Sequence, residues 1–446
     1  MKEKDLINGS IWHNIIDFSL PYLLSYFLQI LYGLADLFII GQFCGVDSIT
    51  SVSIGSQIMH MFTVIIVGLA MGTTVVIARS VGARDHKTTA LIIGNTITLF
   101  MFFSIIMSIG LLYGVDFIVH SISTPQEAVN NTISYLTVCF IGIPFIVAYN
   151  IIASIFRGMG DSKSPMYFIT IACVINIILD YVLIGFFKMD ALGAALGTTL
   201  SQTISVIIAI IVIKQRKEGI RITKKDLKPQ QRAMQAVLKI GIPVALQDGF
   251  IQVAFIIITI IANERGLNDA AAVGIVEKVI GILFLIPSAM LSTVSAISAQ
   301  NLGAGKLNRA HQTLWNATYI AVGFGIIAVI SIQFIAKQTI GLFTGEEQVI
   351  ILGSQYLKGY VWDCIFAGIH FCFSGFFCAC GLSILSFIHN SISIICVRIP
   401  CAYLASAKYA DTLFPMGISS AAGSLISVFI CIGFYLWMKK HYKYQF

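Results

Sequence analysis

Asp36 and Asp180 are single carboxylates set inside long apolar stretches of a chain with almost no other charge between its loops. Inserting an acid at membrane depth costs roughly 3 kcal/mol, and such acids persist where they face water or a partner and handle an ion, a proton or a polar substrate. Tyr32 and Asp36 are four residues apart, as are Asn176 and Asp180, so on a helix each pair shares a face. Thr198 adds a hydroxyl from the next apolar stretch. Oxygens of this kind suit Na+, and two carboxylates forced together out of water also favour holding one proton between them. The residues leave H+ and Na+ both open. They leave open, too, a bland role as packing acids bonded to neighbouring hydroxyls, or direct contact with a substrate.

The stretches that carry these acids read as membrane helices. Of the 446 residues 57% are hydrophobic and 11% charged, and the mean hydropathy is +0.88; a soluble domain carries about 25% charged residues. Twelve apolar runs are long enough to cross a bilayer, near 15–42, 48–77, 89–113, 131–156, 164–187, 191–213, 236–262, 270–298, 311–335, 349–377, 382–405 and 415–438. Only helices can fill them, because an open strand would leave backbone groups unpaired in lipid. The polar start running into a long first span predicts a retained helix rather than a cleaved signal.

Basic residues set the orientation. One set of connections holds 20 Lys and Arg, including Lys2, Lys4, Arg216, Lys217, Arg221 and Lys443, and the alternate set holds 5. The surplus puts both termini and the 214–232 loop in the cytoplasm. It is a topology signal, so the net charge of +7 does not point to nucleic acid. With this orientation Asp36 lies about 9 Å and Asp180 about 10 Å below the outer ends of their helices.

The chain repeats itself. Pro21 matches Pro243 at an offset of 222, Ala78–Ala83 matches Ala299–Ala304 at 221, Phe156–Gly160 matches Phe377–Gly381 at 221, and Gly197 matches Gly423 at 226. Six spans per half require a parallel repeat about an axis along the membrane normal. The expected fold is an all-α membrane protein with twelve transmembrane helices in two pseudo-symmetric six-helix lobes, 1–213 and 235–446, joined by a basic linker at 214–234.

Other residues carry weaker signals. Asp248 and Gln252 in the seventh span and Asp363 in the tenth could touch a cationic substrate or serve as boundary groups. Glu277 and Lys278 are adjacent and could pair, and Arg398 should bond carbonyls or an acid across its bundle. Pro21 can hinge or merely kink the first helix. His13, His60, His120, His370 and His389 have no catalytic or metal-ligand spacing, and the ten cysteines read as packing residues. There is no Walker-type GxxxxGK[ST] run, so an ion gradient must supply the drive, and no enzyme activity or bound cofactor is expected.

The segments LPYLLSYFLQILYGLADLFIIGQ, FRGMGDSKSP, NIILDYVLIG, LGAALGTTLSQ, GIPVALQ and SAQNLGAGK resemble the multidrug and toxic compound extrusion (MATE) family over essentially the whole chain. The likeness is to its DinF-like branch, since Gln252 stands close to the position where the Na+-coupled branch carries an acid. The resemblance implies an alternating-access antiporter that exports organic, cationic or amphipathic drugs or metabolites in exchange for H+ or Na+. It also implies a cation site at Gln29, Tyr32, Asp36, Asn150, Asn176, Asp180 and Thr198, with any Na+ at Asp36 and Asp180. Tyr181 departs from the family pattern by replacing a proline after the helix 5 acid. A monomer in a bacterial plasma membrane is expected, partnered by the bilayer and a small organic molecule. A lipid-linked precursor flippase of the wider superfamily is the alternative, disfavoured because the charges at membrane depth are mainly acidic.

Overall fold

Apolar runs of this length satisfy their backbone polar groups in lipid by folding as helices, and helices fill the computed structural model, which describes residues 5–122, 124–215, 220 and 222–441. Lys2, Lys4, Arg216, Lys217, Arg221 and Lys443 lie outside the described residues. The first half contains α1 (Ile11–Phe43), α2 (Val46–Gly82), α3 (His86–Ser121), α4 (Gln126–Gly158), α5 (Lys163–Asp180) and α6 (Asp190–Gln215). The second contains α7 (Gln231–Arg265), α8 (Leu267–Leu283), α9 (Leu285–Gly303), α10 (Leu307–Gly341), α11 (Glu347–Tyr360), α12 (Asp363–Ala379), α13 (Ser383–Ser393), α14 (Ile399–Lys408) and α15 (Phe414–His441).

Among the described residues 11 continuous segments are long and apolar enough to cross a membrane, and the pair α11 and α12, bent by 41°, makes up to 12. The tenth span, expected to run unbroken from 349 to 377, is that bent pair. Two other spans pass through wide π turns: Tyr181–Phe186 directly after Asp180, and Ile394–Arg398 between α13 and α14. A π turn inserts a residue into the ladder and re-aims the side chains beside it. The helix 5 irregularity therefore begins at Tyr181 although no proline is there.

The sequence repeat is a structural one. After α2, the amides of Arg84 and Asp85 donate to the carbonyls of Val81 and Ser80; after α9, those of Gly305 and Lys306 donate to Leu302 and Asn301. After α4, Gly160 and Asp161 donate to Arg157 and Phe156, and after α12, Gly381 and Leu382 donate to Cys378 and Phe377. Each turn reverses through a left-handed residue, Arg84 (φ 57), Gly305 (φ 73), Gly160 (φ 87) or Gly381 (φ 76). These are helix ends whose last carbonyls are closed by a residue at positive φ, so the matched motifs are matched stop signals.

The chain packs as two units, Leu20–Leu238 and Lys239–Phe446, with Leu6–Ser19 belonging to the second. In this packing the start of α1 goes with the second half, and residues 222–238 go with the first. Side chains explain both. The amide of Leu6 donates to Gln300 Oε1 (3.3 Å), Lys306 Nζ donates to the Ile7 carbonyl (2.9 Å), and Arg309 donates to the Asn8 carbonyl (2.9 Å). In the first unit Asn95 donates to the Asp226 carbonyl and accepts from the Gln230 amide (2.6 Å), while Thr98 donates to the Leu227 carbonyl.

Arg265 closes the end of α14. Its Nη1 donates to the carbonyls of Ser406 and Tyr409, its Nη2 to that of Ala410, and its Nε to Asp269 at 2.8 Å. Arg265→Ala strands these acceptors, and a loss of about 2 kcal/mol is expected. Thermal unfolding in detergent measures it; a drop no larger than for Lys408→Ala contradicts it.

Candidate functional site

The first unit gathers its polar groups from four helices. Gln29, Tyr32 and Asp36 lie along one face of α1 at helical spacing, Asn176 and Asp180 stand one turn apart at the end of α5, and Gly197 and Thr198 belong to α6. Thr198 Oγ1 donates to Asp36 Oδ2 at 3.3 Å. The carboxyl groups of Asp36 and Asp180 are within hydrogen-bonding reach of each other. Asn176 faces Asp36 without a well-formed hydrogen bond, its amide nitrogen and oxygen both unpartnered.

The enclosure is nearly complete. Asp36 is 4% exposed and Asp180 0%. Asp36 Oδ1 and both oxygens of Asp180 have no hydrogen-bond partner, and among the described residues no Lys or Arg pairs with either acid. Two ionised carboxylates have no hydrogen to share and repel each other at this separation. The oxygens of Asp36, Asp180, Asn176 and Thr198 are hard donors of the kind Na+ takes.

Gly197 makes the contact possible. A Cβ there would collide with Asp180 Oδ1 and sit 3.5 Å from Asn176 Nδ2. The bare backbone of α6 is thus the wall against which the acid rests. Its repeat partner Gly423 plays the same part in the second unit, where a Cβ would lie 3.0 Å from Ser393 Oγ and 3.1 Å from Arg398 Cβ. At matching points, one unit seats a carboxyl group and the other the stem of an arginine beside a serine hydroxyl.

Around this centre Tyr32 lies near Asp36, Cys139, Tyr149 and Cys173, and Gln29 reaches Tyr149. Tyr135 and Cys139, one turn apart on α4, complete the wall. The sequence reading missed these α4 residues; their i, i+4 spacing is a signal shared by every buried helix face. Asn150 is 5% exposed and donates to the Ile146 carbonyl of its own helix at 2.9 Å, so its bond runs along α4.

The acids of the second unit do not meet one another. Asp363, 1% exposed, sits with Arg398, Tyr360 and Ser424. Asp248 is half-buried on α7 near Cys378, and Gln252 is half-buried one turn further on. Asp363 and Cys378 are at opposite ends of α12, about 22 Å apart at helical rise. Glu277 faces Thr259 and Arg398 while Lys278 is exposed, so the adjacent pair expected from sequence is replaced by a contact across helices. Arg398 donates to the Tyr360 hydroxyl and stacks 4.9 Å from the Phe255 ring centroid.

The family model for MatE matches residues 21–182 and 243–404, two segments starting 222 residues apart. The chain belongs to the MatE family. The doubled match falls on the two halves of the repeat, each MatE segment opening at its proline, Pro21 or Pro243. A relative in Bacillus subtilis strain 168, "Probable multidrug resistance protein YoeA", is 24% identical over 97% of this chain and 95% of its own length. "Multidrug export protein MepA" of Staphylococcus haemolyticus is 26% identical over 85% of each chain. A solved structure described as the outward-facing conformation of a multidrug resistance MATE family transporter of the MOP superfamily superposes with a TM-score of 0.91 at 22% identity, covering 99% of this chain and 98% of that one. This MatE chain therefore has the two-lobed, twelve-helix fold and is a multi-pass membrane protein.

Proposed function

We propose that the protein is a secondary active efflux transporter, and not an enzyme, that exports small organic compounds of cationic or amphipathic character in exchange for H+ or Na+ by alternating access. The carrying observation is the contact of two buried carboxyl groups, Asp36 and Asp180, with no protein cation paired to either among the described residues. Loading one cation changes the charge of this centre by one in a medium where charge is costly, which couples ion occupancy to the packing of α1, α5 and α6. Thr198 orients Asp36, Asn176 stands beside the acids with its amide free to bind, Tyr32 and Gln29 line the approach, and Asn150 bonds along α4. Asp248, Gln252 and Asp363 remain candidates for substrate contact.

Relatives carrying multidrug resistance and export names support the substrate class. The 20-to-5 split of basic residues supports cytoplasmic termini in a bacterial plasma membrane. The bilayer is the partner of a monomer, and nucleic acid has no part. Proteoliposomes loaded with a fluorescent organic cation test the reading, with H+ and Na+ gradients imposed separately. Efflux should follow one gradient; efflux indifferent to both refutes antiport.

Pro21 is the proposed hinge. α1 runs through it unbroken, Ser25 Oγ donates to its carbonyl at 2.8 Å, and the division of α1 between packing units falls at Ser19–Leu20, immediately before it. Pro21→Ala restores a helix rung worth up to about 3 kcal/mol, so the melting temperature should hold or rise while the transport rate falls several-fold. Unchanged transport with an unchanged pH response removes the hinge.

A further inference from the structure

The leading segments of the two halves change places. Residues 6–19, which run up to Pro21, pack in the second unit, and residues 222–238, which run up to Pro243, pack in the first. At the offset of 222 that relates the two prolines, segment 6–8 corresponds to segment 228–230. Buried side-chain amides hold both segments by their backbone groups. In the second unit the Leu6 amide donates to Gln300 Oε1 at 3.3 Å, and the Leu6 carbonyl accepts from Asn301 Nδ2 at 3.4 Å. In the first, Asn95 Oδ1 accepts from the backbone amide of Gln230 at 2.6 Å, and its Nδ2 donates to the Asp226 carbonyl at 3.1 Å. Gly94 admits the linker this closely, since a Cβ there would collide with the Asp226 carbonyl.

Both α1 and α7 therefore begin in one unit and continue in the other, each as an unbroken helix with a proline inside it. The change falls at Ser19–Leu20 in α1 and at Leu238–Lys239 in α7, about one turn or less ahead of Pro21 and Pro243. A proline has no N–H for the carbonyl four residues earlier. For Pro243 that carbonyl belongs to Lys239, and Ser383 Oγ of α13 donates to it at 3.3 Å. A serine of a neighbouring helix thus fills the opened rung, which is how a proline is tolerated within a membrane helix. The rung lies at the residue where α7 joins the second unit. Gly241 and Gly249 flank Pro243 and weaken this stretch further.

We propose that α1 and α7 are a reciprocal pair of straps, each anchored by its leading segment in one unit and flexing at its proline as it joins the other. Pro243, with Ser383 at its opened rung, is then a second flexing point matched to Pro21. Gln300 and Asn301 anchor one strap, and Asn95 anchors the other. Among the described residues from Leu6 onward, the chain passes between the units at these two places alone. Alternating access, on which this proposal rests, has to be absorbed where the chain crosses. Neither crossing is a loop. A continuous helix bends at its weakest rung, and in both straps that rung is the one a proline opens.

Spin labels on the purified full-length protein test the straps, in a Cys44→Ala, Cys396→Ala, Cys401→Ala background that keeps the buried thiols. Labels at the exposed Gln235 and Ile256 bracket Pro243, about 31 Å apart at helical rise. Labels at the exposed Ser10 and Asn308 report the anchor of the second unit. Pooled over about pH 5 and about pH 8, with and without Na+, the first pair should give two distances in this parent and one in Pro243→Ala. The anchor pair should keep a single distance throughout. One distance across Pro243 in the parent, two retained in Pro243→Ala, or a divided anchor distance overturns the straps. Should Pro243→Ala fail to fold, Ser383→Ala should lower the population that matches this structure, and unchanged populations overturn the flexing point. In proteoliposomes Pro243→Ala should lower efflux several-fold at wild-type ion affinity, because Asp36 and Asp180 are untouched. Undiminished efflux overturns the straps even where Asp180→Asn abolishes transport. Wild-type efflux indifferent to both gradients refutes antiport instead, and the label distances still decide the straps.

Discussion

Asp180→Asn will abolish gradient-driven efflux and leave the protein at least as stable as wild type. Asp180 is fully buried, both of its oxygens lack a hydrogen-bond partner, and its neighbour is another carboxyl. A group held that way contributes little to folding. An amide of the same shape adds N–H donors directly beside Asp36 Oδ1, which has no partner. The transport effect runs the other way. Removing one of two charges that hold the ion forfeits roughly 1.5–3 kcal/mol of charge-assisted bonding, about a 10- to 100-fold loss in ion affinity. Asp36→Asn should act alike on transport but gain less stability, since Asp36 already accepts a bond from Thr198 at 3.3 Å. Transport in proteoliposomes and thermal unfolding in detergent read the two effects separately. Full efflux by both variants removes the acids from the mechanism, whereas lost efflux with a large drop in melting temperature assigns them to packing.

Gly197→Ala should rival those substitutions without touching a charge. The new methyl would occupy the place of Asp180 Oδ1, so either the carboxyl turns away from Asp36 or α6 retreats from α5. Overpacking of this kind costs about 1–3 kcal/mol. Efflux is expected to fall about tenfold or more, with a matching loss of ion affinity. The paired variant Gly423→Ala meets Ser393 and Arg398 instead, and should lower stability while leaving the ion dependence of efflux intact. A Gly197→Ala protein with wild-type ion affinity would show that the close approach of α5 and α6 is incidental to the site.

Much of this architecture is legible along the chain because hydropathy is a local sum. Each span is long enough to pay its own transfer from water to lipid, and each lone acid stands out against that background. The parallel repeat is equally plain, since Gly160 and Gly381 sit at the same left-handed turn and motifs that end helices keep their spacing. The i, i+4 pairs Tyr32–Asp36 and Asn176–Asp180 follow from helical periodicity alone.

What the chain by itself determined, then, is the list of helices, their order, their duplication and the residue types that lie at membrane depth. Tertiary structure alone decided which faces meet: that Asp36 touches Asp180 across two helices, that Gly197 makes room for the contact, that Glu277 turns to Arg398 and away from Lys278, and that His370 lies beside His389. It also decided the π turns after Asp180 and before α14 and the bend between α11 and α12. The reason is physical. Nearly every side of these helices is apolar, so lipid imposes no single buried face, and the register between neighbours is set by small-residue contacts and interhelical bonds that no local pattern encodes.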